Sequence, residues 1–189
     1  MKLLFIVLSL ITVTGFFACG TAPVKSVSPA PTPTPTPSGD WRLYTSPDKT
    51  FSAELPCEPT QTNVSASATP IYDYSCDMIE AASLRLFLIS VVKAAVEGGK
   101  IPDEAEFERS VKDSFTPNHT IIKMFPIKID GGIGREVFVT NTRDDMDNIR
   151  GRVIIFGAHR FEVAYLATDL KRLESPEAER FFASFKPLK

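Results

Sequence analysis

The sequence predicts an α+β fold, a central antiparallel β-sheet flanked by helices, occupying residues 41–189 as one domain. Ile71 to Met78 and Ser83 to Val92 read as a pair of hairpin strands. In the second, Leu84, Leu86 and Leu88 alternate with Phe87, Ile89 and Val91. Successive strand side chains point to opposite faces, so a run apolar at both parities needs cover on both sides. Two helical segments offer it. Phe107, Val111 and Phe115 recur at i, i+4, i+8, and Phe181, Phe182 and Phe185 follow a Ser175-Pro176-Glu177 start signal. Long antiparallel strands with helices to cover them predict an α/β/α or two-layer sandwich.

Ahead of that domain the chain carries an export signal. Lys2 is the positive start, Leu3 to Phe17 the apolar run, and Ala18 the small residue before a cut. The run is shorter than the ~20 residues that span a bilayer, which disfavours an uncleaved anchor. Phe16-Phe17-Ala18-Cys19-Gly20 resembles the lipobox of bacterial lipoproteins. That resemblance implies a signal peptide over 1–18, a diacylated Cys19 as the first mature residue, and a lipid-anchored protein facing the periplasm or exterior. Residues 19–40 are then a Pro/Thr-rich linker. Pro31-Thr32-Pro33-Thr34-Pro35-Thr36-Pro37 is a strict repeat that buries nothing and favours extended polyproline II. Fully extended, such a stalk holds the domain up to ~60 Å from the lipid. No basic residue flanks the repeat, so it reads as a spacer and not as an SH3 ligand.

Without residues 1–18 the chain has 20 basic residues (21 less Lys2) against 23 acidic ones. That mildly acidic, interspersed balance excludes a nucleic-acid footprint and a basic patch for anionic lipid. Membrane contact is expected through Cys19 alone. Of the three cysteines, lipidation of Cys19 leaves Cys57 and Cys76, an even pair expected to form a disulfide in an oxidising envelope, with two free buried thiols as the alternative. Two cysteines and two distant histidines do not match zinc-ligand spacing. No metal or cofactor is expected.

Within the domain, Trp41 to Tyr44 and Phe51 to Leu55 read as short strands about a Ser46-Pro47-Asp48-Lys49 turn, followed by a polar loop from Pro56 to Thr69. Pro102 and Asp103 open the first helix, which stops before Pro117 and pairs Glu108 with Lys112 on its wet side. Thr120 to Ile129, Arg135 to Thr140, Arg150 to Phe156 and Phe161 to Ala167 read as four further strands, punctuated by glycine or acidic turns. Pro126 cannot donate to a ladder, which places its strand at an edge or on a bulge.

Trp41-Arg-Leu-Tyr44-Thr-Ser-Pro-Asp48, Phe51-Ser-Ala-Glu-Leu-Pro56 and the closing Arg180-Phe-Phe-Ala-Ser-Phe185-Lys-Pro are similar to bacterial lipoproteins and envelope proteins of the PsbP-like fold. The resemblance spans the globular part. It implies an α/β/α sandwich and a non-catalytic role in binding or assembly, and it carries over no ligand or catalytic residue.

The residues that invite chemistry read as structure. Asp144, Asp145, Asp147 and Asn148 are a dense oxygen cluster, but an EF-hand pattern begun at Asp145 meets Ile149 and Arg150 where an oxygen ligand and Gly belong. Gly131-Gly132-Ile133-Gly134 joins two strands and opens no helix, so it lacks the dipole of a phosphate cradle. His119 precedes a strand and His159 lies in a tight turn, with no nucleophile motif beside either. Asn63 and Asn118 head sequons that the lipobox makes irrelevant. The expectation is a non-enzymatic, lipid-anchored envelope protein that binds an unknown protein partner. A small apolar ligand carrier is the second reading and a hydrolase the third. A broad apolar surface favours the first, an enclosed pocket the second, and perturbed acids or histidines the third.

Overall fold

A computed structural model describes residues 40–64, 70–80, 83–93, 101–115, 119–141 and 148–189. The chain divides into two units, 1–33 and 34–189, and every described residue belongs to the second. The signal peptide, Cys19 and the Pro/Thr repeat lie outside the described residues.

The element order is β1 (Arg42–Thr45), β2 (Phe51–Leu55), β3 (Thr60–Asn63), β4 (Ile71–Glu80), β5 (Ser83–Val92), α1 (Glu104–Phe115), β6 (His119–Ile127), β7 (Gly132–Asn141), β8 (Asn148–Phe156), β9 (His159–Ala167), a 3-10 turn (Leu170–Glu174), α2 (Pro176–Ser184) and β10 (Lys186–Pro187). A seven-stranded sheet runs β3-β4-β5-β9-β8-β7-β6 and a small sheet runs β1-β2-β10. All neighbours are antiparallel.

Local chemistry sets the ends. Ser46 Oγ accepts from the amides of Thr50 and Phe51, and Lys49 takes the left-handed φ of 56° that closes the β1–β2 turn. Asp103 accepts from the Glu106 amide ahead of α1, and Ser175 accepts from the Ala178 amide with Pro176 at the first helical position of α2. Gly131, at φ 77°, turns β6 into β7. Gly134 lies so close to β6 that a Cβ there would stand 2.6 Å from Ile127 Cγ1. The strand holding Pro126 is indeed the sheet edge, and it carries a bulge between Ile121 and Lys123.

Two expectations need correction. The polar loop over 56–69 contains β3, exposed at all four residues and paired to β4 from Thr60↔Ser75 to Asn63↔Tyr72. Thr-Gln-Thr-Asn shows no apolar alternation because neither face of this edge strand is buried; pairing, not pattern, makes it a strand. The second correction concerns β5. Phe87, Ile89 and Val91 are fully buried, but Leu84, Leu86 and Leu88 are only half-buried. The face they occupy is incompletely covered.

One face of the large sheet holds the main core. Phe87, Ile89, Val91, Phe161, Val163 and Tyr165 meet Phe181, Phe182 and Phe185 of the closing helix and its end, together with Phe51 and Leu55 of the small sheet. Phe87 meets Phe181 edge-on at 5.3 Å and Phe51 stacks on Phe185 at 5.9 Å, geometries that aromatic quadrupoles favour. The cover on this face is therefore a helix plus a second sheet. The other face carries a smaller core in which Phe107 and Val111 of α1 meet Ile133, Val153 and Ile155. Among the described residues the architecture is a mostly antiparallel sheet with one helix on each side.

Candidate functional site

Cys57 and Cys76 come together with their sulfurs bonded and Cα atoms 5.9 Å apart. Cys57 is exposed just beyond β2, and Cys76 lies in the core on β4, so the bond ties the small sheet's exit to the large sheet. The histidines stay apart. His119 packs edge-on to Phe115 at 6.4 Å and His159 stacks on Phe161 at 6.0 Å. Asp144, Asp145, Asp147 and Asn118 lie outside the described residues. Asn148 accepts from Thr140 Oγ1 and donates to the Thr168 carbonyl, which makes it a buried brace between strand ends. Asn63 is exposed on β3. Among the described residues, no three His, Cys, Asp or Glu side chains converge to hold a metal ion, and no helix is long and apolar enough to cross a membrane.

Three charged clusters were invisible to motif reasoning, and each has a structural task. Arg85, on the core side of β5, donates both contacts to the Glu177 carboxylate at 2.7 Å and so pins the first turn of α2. Glu136 is gripped by Arg150 and Arg152, whose remaining donors reach Glu179 and the carbonyls of Leu173 and Phe182. This pair of guanidiniums fastens the 3-10 turn and α2 to the sheet, with Arg150 also lying over the rings of Phe138 and Phe182. Burial pushes the Asp48 carboxyl up, but hydrogen bonds from Lys93, Ser46 and Thr50 outweigh it and hold the group well below the usual carboxylate range. Tyr74 beside it is pushed up to about 12, by burial first and then by the Asp48 charge. These groups are held by partners, not poised between protonation states.

The apolar surfaces are more telling. Along the β6 edge, Ile122, Phe125 and Leu170 are exposed, and a groove of about 290 Å³ runs between β6 and the 3-10 turn. That edge is already guarded. Lys123 lies 3.9 Å over the Phe138 ring at the groove floor and pairs with Glu174, while the bulge and Pro126 interrupt the strand. A lysine, a bulge and a proline are the usual devices by which an edge strand resists pairing.

The face opposite the main core is different. The helix α1 stands over β6 and β7, with Phe115 reaching to Gly151 on β8 and Arg160 of β9 donating to Ser110 and Ser114. No described helix packs along β4 and β5 there. Register places Ile79 beside Leu84, and in the next row sets Leu86 between Asp77 and Leu166, with Leu166 against Ile149, which makes an oblique apolar row with Asp77 at its β4 side. Ile79 is 81% exposed and the other apolar residues of the row are half-buried. Where the row runs under Phe115 it deepens into a cleft of about 160 Å³, lined by Leu88, Ala164 and Leu166 with Ser90 and Glu162 at its rim.

No protein-family model matches the chain, and no curated protein matches it. Among solved structures, the chain is similar to PA94 of Pseudomonas aeruginosa, a protein of unknown function. The two are 18% identical with a TM-score of 0.43, over 72% of this chain and 90% of that one. No role is transferred from it.

Proposed function

We propose that this chain is a non-enzymatic, lipid-anchored protein of the bacterial envelope, and that its PsbP-like sandwich is a binding or assembly module for a protein partner. Cys19 is the anchor, residues 19–40 the spacer, and the row formed by Ile79, Leu84, Leu86, Leu88 and Leu166 the docking face. The observation that carries this reading is that row. Each Å² of apolar surface left in water forgoes about 25 cal/mol, and contiguous exposed patches on a folded domain mark interaction sites. The carrier reading has less behind it. The cleft on this face, about 160 Å³, falls well short of the ~300–1,000 Å³ of small-molecule sites, and the groove of about 290 Å³ along β6 has the Lys123–Glu174 ion pair in its lining. A hydrolase needs an acid or base tuned toward neutrality. Asp48, Glu108 and Glu174 are instead all pushed down, each with a cation or hydroxyl beside it.

The test is a photoreactive residue placed at Ile79 in the full chain in its host cells, with Ile122 on the guarded edge as comparison. A discrete protein adduct at Ile79 that disappears with Leu86→Asp is the expected result. No adduct at Ile79, or adducts of equal yield at Ile79 and Ile122, would remove the face from the account.

A further inference from the structure

Granted the docking role above, we propose that the occupant of the uncovered face is a basic amphipathic helix presented by the partner. The shape of the face selects a helix. The strip from β4 to β9 spans two inter-strand gaps, ~10 Å in all, which is close to the ~10–12 Å diameter of one helix with its side chains. From Leu84 to Ser90 it is ~20 Å long, the rise of a helix of about 13 residues. A single helix laid beside α1 would complete the second layer that β5 calls for, since helix on sheet is the ordinary way for both to bury their apolar stripes. Strand addition is not available to a sheet face whose backbone groups already pair on both sides.

Charge selects the sign. The β4 border of the strip carries Asp73 and Asp77. Asp73 accepts from Ser90 Oγ, and neither carboxylate has a cationic partner among the described residues. At the other border Arg160 is taken up by Glu162 at 2.8 Å. Among the described residues the strip is thus apolar along its floor with an acidic margin that no cation offsets, and lysines or arginines flanking an apolar helical stripe would complement it. A second copy of this chain would bring like margins together, and an acidic helix would meet the same repulsion.

Two designed 14-residue peptides serve as probes, one with leucine on one helical face and lysine elsewhere, the other with glutamate replacing lysine. Binding of each labelled peptide to the purified chain is followed by fluorescence anisotropy at low salt. The lysine peptide should bind at least ten-fold tighter than the glutamate peptide, and Asp77→Lys, a surface change that spares the core, should erase or invert that preference. Leu86→Asp should weaken the lysine peptide at least ten-fold, and Ile122→Asp should leave it unchanged. Equal binding of both peptides, a tighter glutamate peptide, no binding of either, or indifference to Asp77→Lys would overturn the basic-helix assignment. If that happens while the Ile79 adduct persists, the docking role stands with a different occupant. If both fail, the docking role falls too.

Discussion

Removing the Glu177 carboxylate should be among the costliest single changes to this fold. The side chain of Arg85 is 3% exposed and that of Glu177 14%, and the two contacts between them are both 2.7 Å. Glu177→Ala removes the two carboxylate contacts that help offset the desolvation of this guanidinium on the core face of β5. Breaking one partner out of a buried pair typically costs 3–5 kcal/mol, so a loss of about 3–5 kcal/mol is expected. The helix dipole accounts for only about 0.3–1 kcal/mol of that, because Glu177 also sits in the first turn of α2. For a domain of this size the melting temperature should fall by about 6–20 °C. Replacing both residues by apolar ones, Arg85→Met with Glu177→Leu, should recover most of the loss, since no charge then remains to be desolvated. Urea unfolding of the wild-type chain, the single and the double variant, at unchanged m-value, measures each cost. A Glu177→Ala cost below about 1 kcal/mol would mean that water or the other contacts of Arg85 make up for the lost carboxylate, and would refute Glu177 as the group that holds this charge on β5.

Other expectations follow from the same structure. The denatured, unreduced domain should show no free thiol at Cys57 or Cys76, and replacing both by Ala should cost about 3 kcal/mol for a loop with a sequence separation of 19; a count of two thiols would contradict the pairing. Because the Asp48 carboxyl is depressed in the fold, its contribution is present above its ordinary value of 3.8 and is lost as pH falls below that toward the folded value. Stability measured from pH 5 downward should therefore fall less steeply in Asp48→Asn than in wild type, and parallel curves would refute this. Cys19→Ser should move the chain from the membrane to the soluble envelope fraction with an unchanged melting temperature; retention in the membrane would mean a helical anchor instead.

What was legible in the sequence was whatever depends on local pattern. The α1 stripe of Phe107 and Val111, the Ser175-Pro176 start of α2, the turn at Ser46 to Lys49 and the edge position of Pro126 each follow from a few neighbouring residues, and each is where that chemistry places it. The strand β3 escaped because an edge strand with two wet faces has no periodicity to read. Arg85 escaped for another reason: it interrupts an apolar strand, and the Glu177 with which it pairs lies 92 residues away, where only the folded chain brings it near. The same limit applies to Glu136 with Arg150 and Arg152. The apolar parity of Leu84, Leu86 and Leu88 was plain, but the cover it predicts on that face is only partial in the structure. It does not state who supplies the cover, and that gap between what β5 requires and what α1 provides is the candidate site.

The most direct test of the docking face is oxidative footprinting of the chain in native envelopes and after purification. Side-chain oxidation at Ile79, Leu84, Leu86 and Leu88 should be several-fold lower in the envelope than in the isolated chain, while Ile122, Phe125 and Leu170 on the guarded edge react equally in both. Equal oxidation of the four face residues in the two preparations would contradict the account, because a face that is no better covered in its native setting has no partner upon it.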